Sequence, residues 1–217
     1  MTLKIHAFPL SPRSFKVLWA ANHLGLDYEL QLVDFSKGAQ RAPDFVALNP
    51  NAKAPVIEHD SFVLWESNAI VEYFAALKPQ ARLLPEEARA RAAIVKWLFW
   101  ESAHWDPACV PFAVERVVKK LFGRGAEDPA EIARGTEMFK RVGEVLDGEL
   151  ARHRFVAGDA LTVADFAIGA AMCIADQAQL PLEPYRNILR WRAEIEALPS
   201  WAKTRAMQLP PKGMAAE

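Results

Sequence analysis

Cysteine is nearly missing from this chain of 217 residues: Cys109 and Cys173 stand far apart and show no metal-ligand spacing. Both read as small buried apolar side chains of a reduced, cytoplasmic protein, and no metal is expected. An excess of charge of either sign is missing as well. The net charge is −1, and no run of five like charges occurs, which argues against nucleic acid or an anionic membrane as the main partner. No segment approaches eighteen uninterrupted apolar residues, so no membrane span is expected. The first residues, Met1-Thr2-Leu3-Lys4-Ile5-His6, lack the apolar stretch of a secretory signal. Internal repeats are absent.

Apolar residues are plentiful, at 52 % of the chain, enough for a full core in one large domain or two small ones. Residues 1–79 read as mixed α/β. Leu3 to Phe8 forms a strand, Ser14 to Leu24 has helical apolar spacing, and Tyr28 to Phe35 alternates as a second strand. Val56–His59 and Phe62–Trp65 flank a tight turn at His59-Asp60-Ser61, and Glu66 to Leu77 returns to helical spacing. After a linker at Lys78-Pro79-Gln80, Pro85-Glu86-Glu87 opens a helix with proline and acids in its first turn. Residues 86–217 read as all-helical, with an amphipathic face at Ile132, Phe139, Val142, Leu146 and Leu150. Thr162-Val163-Ala164-Asp165 reads as a capping box before an apolar, small-residue run.

The most informative stretch is Lys53-Ala54-Pro55-Val56-Ile57, followed by Glu66-Ser67. Proline cannot donate to a ladder, so it belongs at a strand start or an edge. A cis bond before Pro55 turns the main chain of Ala54 outward, toward an extended peptide. Glu66-Ser67 begins a helix whose hydroxyl and free N–H groups suit a carboxylate. Together these features describe a pocket for a short acidic peptide.

Three motifs in this order and spacing resemble the cytosolic glutathione S-transferases: Asn49-Pro50-Asn51-Ala52-Lys53-Ala54-Pro55-Val56, Glu66-Ser67-Asn68-Ala69-Ile70, and Gly158 through Asp165. The resemblance covers nearly the whole chain. It implies a thioredoxin-like α/β N-terminal domain, an all-α C-terminal domain and glutathione as co-substrate. Ala54, before cis-Pro55, would pair with the cysteinyl backbone, and Glu66 and Ser67 would hold the γ-glutamyl end. Gln40, Arg41 and Lys53 are the matching candidates for the glycyl carboxylate, Arg41 through bidentate pairing. Asp165 is assigned to folding rather than to the site.

Chemistry on glutathione needs the thiolate, which a hydrogen-bond donor favours. Between the first strand and helix, Pro9 to Val17 contains neither Tyr nor Cys. Its hydroxyls are Ser11 and Ser14, and Ser11-x-x-Ser14 excludes dithiol redox chemistry there. Ser11 coincides with the activating serine of the phi and theta classes, and the alternative is that both serines cap the helix. Arg13 departs from the commonest pattern and brings a positive charge. The resemblance places the second substrate beside the first long helices of the helical domain, where Trp97, Trp100, His104 and Trp105 are candidates for an apolar electrophile pocket. Trp201 and Met207 are candidates to close it. The expected function is conjugation of the glutathione thiolate to a hydrophobic electrophile, by a homodimer. The alternatives are a glutathione-dependent isomerase, dehalogenase or peroxidase, or a non-catalytic interaction protein of the same fold.

Overall fold

The computed structural model describes residues 2–208, which fall into two compact units. The first opens with β1 (Leu3–Ala7), whose odd residues are buried and whose even residues are half-buried. Ser11, in extended conformation, then leads into α1 (Pro12–His23). Pro12 in the first turn starts this helix two residues ahead of the expected Ser14, because proline's fixed φ suits that position and its missing N–H costs nothing there. β2 (Glu29–Leu32) is shorter than the expected Tyr28–Phe35 strand. The Asp34 carboxylate accepts the Ser36 N–H at 2.9 Å and winds Phe35–Lys37 into a 3₁₀ turn. Gly38 follows at φ 68°, which only glycine adopts freely, and reverses the chain into a second turn at Ala39–Arg41. α2 (Pro43–Leu48) comes next.

β3 (Val56–His59), β4 (Phe62–Trp65) and α3 (Ser67–Leu77) complete this run and match the expected elements. The sheet order is β2-β1-β3-β4. β1 pairs parallel to β2 with Ile5 opposite Leu30, and antiparallel to β3 with Ile5 opposite Ile57. This is the thioredoxin-like arrangement.

The second unit is helical. Glu87 caps α4 (Ala88–Trp100), its carboxylate accepting the N–H groups of Arg89 and Ala90 at 2.9 and 2.7 Å. The helix thus begins after Pro85-Glu86-Glu87 rather than with it. A π-helical turn at Glu101–Trp105, α5 (Asp106–Ala113), a second π turn at Val114–Val118 and α6 (Lys119–Leu121) continue the rod. Then come α7 (Pro129–Leu150), α8 (Val163–Gly169), a 3₁₀ turn, α9 (Ala175–Ala178) and α10 (Arg186–Glu196). Trp105, Phe112, Phe139, Phe166 and Trp191 form the centre of this core. No described helix is long and apolar enough to cross a membrane.

The last described helix, α11 (Pro199–Ala206), belongs with the sheet unit. The sequence assigned all of 86–217 to the helical domain. The physical reason for the difference is Trp201, whose ring meets Phe15 at 4.8 Å and Trp19 at 4.9 Å, both edge-on. The Trp19 Nε1–H donates to Ser200 Oγ at 3.1 Å, and Asn22 Nδ2 donates to Thr204 Oγ1 at 2.9 Å. α11 is fastened along α1.

Candidate active site

The first unit contains a cavity of about 320 Å³ whose wall gathers the mouths of α1 and α3 and the loop before β3. Each part is positioned by local chemistry. Asn49 shapes the loop: its Nδ2 donates to the Lys53 carbonyl at 2.7 Å, and its Oδ1 accepts the Asn51 N–H at 3.0 Å. Asn49 is itself buried, so the turn that presents Lys53 and Ala54 is fixed from inside. The Ala54–Pro55 bond is cis. The β3 ladder begins only at Val56, so Ala54 lies outside the sheet's pairing. Glu66 has φ 72° and ψ 111°, a region that a side-chain-bearing residue enters only at a cost. Ser67 takes the first helical position after it and is buried.

The two serines of α1 have different surroundings. Ser14 is fully buried, and its Oγ accepts the Phe8 N–H at 3.1 Å. Ser11 is half-buried on the cavity wall. Its hydroxyl does not cap α1, so the reading of both serines as caps fails. Ser11 stands at the N-terminus of α1, and a helix N-terminus favours negative charge.

Of the glycyl candidates, Gln40 and Lys53 line the wall, and Arg41 is exposed and does not line it. Gln40 and Arg41 are consecutive in one 3₁₀ turn, whose three residues per turn direct adjacent side chains apart. The Gln40 Oε1 is buried without a hydrogen-bond partner among the described residues, so it is an acceptor open to an N–H or O–H. Arg13 also lines the cavity. Phe35, stacked on Phe8 at 4.9 Å, and Ala52, at φ 53°, are wall residues the sequence did not single out. Asn49 was visible in the sequence only as part of the motif Asn49 through Val56.

In the helical unit the aromatic candidates divide. Trp97 meets Trp100 at 5.1 Å, and Trp100 meets His104 at 6.4 Å, so one face carries all three as expected. Trp100 is half-buried and His104 exposed. Trp97 is buried, with its Nε1 unpartnered among the described residues. Trp105 is a correction. It is buried in the core against Phe139 and donates to the Ile168 carbonyl at 3.1 Å, so it offers no surface to a substrate. Trp201 is likewise consumed by its contacts with α1, and the Met207 sulfur lies against Asn22 and Tyr28.

A thioredoxin-like sheet with a helical partner unit, and a cavity combining cis-Pro55, Glu66-Ser67 and a hydroxyl at the first helix, define the class of a glutathione-dependent transferase. Comparison agrees. Residues 1–76 match the family model described as glutathione S-transferase, N-terminal domain, and residues 106–199 match the C-terminal domain model. The chain is 36 % identical over 216 residues to glutathione S-transferase 3 of Zea mays, covering 96 % of each. It is 32 % identical over 190 residues to glutathione S-transferase GstB of Escherichia coli (strain K12), covering 87 % of this chain and 90 % of the relative. Among solved structures, glutathione S-transferase III in apo form superposes with a TM-score of 0.86 at 34 % identity, covering 97 % of this chain and 99 % of the other. The chain belongs to the glutathione S-transferase family and is an enzyme of that family.

Proposed function

We propose that this is a serine-type transferase of the phi/theta kind, which adds the glutathione thiolate to an electrophilic carbon of an apolar substrate. One observation carries the reading: Ser11, its hydroxyl unused in capping, shares a cavity wall with cis-Pro55 and Ser67. The tripeptide lies with its cysteinyl backbone along Ala54. Its γ-glutamyl end sits at Glu66 and Ser67, and its glycyl end at Gln40 and Lys53. The Gln40 Oε1 accepts the glycyl amide N–H, and the Lys53 ammonium pairs with the glycyl carboxylate. Glutathione is the co-substrate. Curated relatives named as glutathione S-transferases favour conjugation over isomerase, dehalogenase, peroxidase or non-catalytic roles.

The Ser11 O–H donates to the sulfur and favours its charged form, with the amide groups at the α1 mouth acting in the same direction. The thiol proton leaves to solvent. Sulfur then forms the new bond to carbon, and the leaving group departs with its electron pair. Within the helical unit, the aromatic face of Trp97, Trp100 and His104 has the chemistry to hold an apolar molecule. The enzyme acts as a cytoplasmic homodimer.

A hydrogen bond to a charged group contributes roughly 1.5–3 kcal/mol. Ser11→Ala should therefore lower kcat/KM toward a nitro-activated aryl chloride by roughly 10- to 100-fold near neutral pH. The deficit should narrow in alkaline buffer, where the thiolate forms unaided. An unchanged rate, or a deficit constant with pH, contradicts the assignment.

A further inference from the structure

Lys16 lies on α1, and its side chain is 1 % exposed. Its Nζ donates to Ser67 Oγ at 3.1 Å and to Asn68 Oδ1 at 2.7 Å. It thus links the helix that carries Ser11 at its mouth to the first two residues of the helix that carries Ser67. Lysine is almost never fully buried unless it is paired, so this burial is itself informative.

Donor and acceptor chemistry limits what this contact can do. An ammonium has three N–H groups and no acceptor. Ser67 Oγ is therefore the accepting partner, and the hydroxyl hydrogen must point elsewhere. Ser67 lines the cavity. With Lys16 behind it, the hydroxyl is set to donate into that cavity, which suits a carboxylate. Without Lys16, the same hydroxyl is free to rotate and donate inward to Asn68 Oδ1, leaving only a lone pair toward the ligand's negative charge.

We infer that Lys16 is a positioning residue for the carboxylate of the γ-glutamyl end, acting through the Ser67 hydroxyl. The inference rests on the glutathione reading above, with Ser67 at that carboxylate. Lys16 touches no reacting atom, so its effect falls on glutathione affinity and leaves turnover at saturation intact.

The test uses two ligands: glutathione, and 4-aminobutyryl-cysteinylglycine, which lacks only the γ-glutamyl α-carboxylate. Calorimetry should show Lys16→Met binding glutathione about 10-fold more weakly, as expected for a lost charge-directed hydrogen bond. KM for glutathione should rise in parallel, with kcat within about twofold of wild type. The decarboxylated peptide should bind both proteins equally, and Lys16→Arg should restore most of the loss. Lys16→Gln, which keeps a donor, is run alongside in case the methionine variant misfolds, and should fall between. Unchanged glutathione affinity in the Met and Gln variants, or equal losses for both peptides, overturns the inference. Ser67→Ala separates the two levels. If it discriminates between the peptides while the Lys16 variants do not, only the role of Lys16 fails. If it does not discriminate, the placement of the γ-glutamyl carboxylate fails, and the inference with it.

Discussion

Two serines three residues apart divide the work at the mouth of α1. Ser14 satisfies the buried Phe8 N–H, and Ser11 faces the cavity. Ser14→Ala strands that N–H and should cost about 1–3 kcal/mol in urea unfolding, while the thiolate titration of bound glutathione stays put. A shifted titration with unchanged stability would exchange the two roles. Asp165 is another polar residue whose burial decides its chemistry. Its carboxylate accepts the N–H groups of Val156 and Thr162 and the Trp191 Nε1–H, all at 2.9 Å, and the Thr162 hydroxyl at 3.2 Å. Desolvation outweighs these donors and raises its pKa to about 6. A raised acid takes up a proton on folding between its ordinary value and the raised one. Its contribution to stability is therefore fullest in acid and declines as pH rises through about 6. Asp165→Asn removes the titration. The stability difference, wild type minus variant, should fall by about 2 kcal/mol between about pH 4.5 and 7.5. A difference that is flat or grows with pH means the donors win. Residue types and spacing made Ser11, Lys53, Ala54-Pro55 and Glu66-Ser67 legible in the sequence. Lys16 and Asn49 were not, because what they touch depends on burial, and Arg41, next to Gln40 in one 3₁₀ turn, is exposed and does not line the cavity that Gln40 lines.

At the scale of elements, α7 contains a controlled comparison. Gly143 has no room: an added Cβ would lie 2.5 Å from the Tyr185 ring, whereas at Gly148 nothing lies within 4 Å. Alanine is favoured over glycine in a helix interior by about 1 kcal/mol. Overpacking costs about 1–3 kcal/mol. Gly143→Ala should therefore lower Tm and Gly148→Ala should raise it. A rise for both would mean the Tyr185 ring yields freely. The sequence located most elements because strand alternation and helical spacing are local signals. It misjudged their ends where side chains intervene, as Asp34 does by shortening β2 and Glu87 by acting as cap to α4 rather than as its first turn.

At the scale of the molecule, the chain's division into units is only partly a local matter. The Lys78-Pro79-Gln80 linker announced itself by composition. The return of α11 to the sheet unit did not, since it depends on Trp201 finding Phe15 and Trp19, residues about 180 positions earlier. Trp201→Ala should cost about 3–5 kcal/mol, read in the unfolding of the sheet unit. A loss below about 1 kcal/mol would show that α11 is not integral to it. The Trp97, Trp100 and His104 face was legible as a helical stripe, but Trp105 was not separable from it, because core and surface rings look alike in sequence. The proposed chemistry turns on the hydrogen bond from the Ser11 hydroxyl to the glutathione sulfur. Its most direct test is the ultraviolet titration of glutathione bound to wild type and to Ser11→Ala. The bound thiol should ionise at lower pH than free glutathione in the wild type and shift back upward in the variant. Superimposable curves for the two proteins would contradict it.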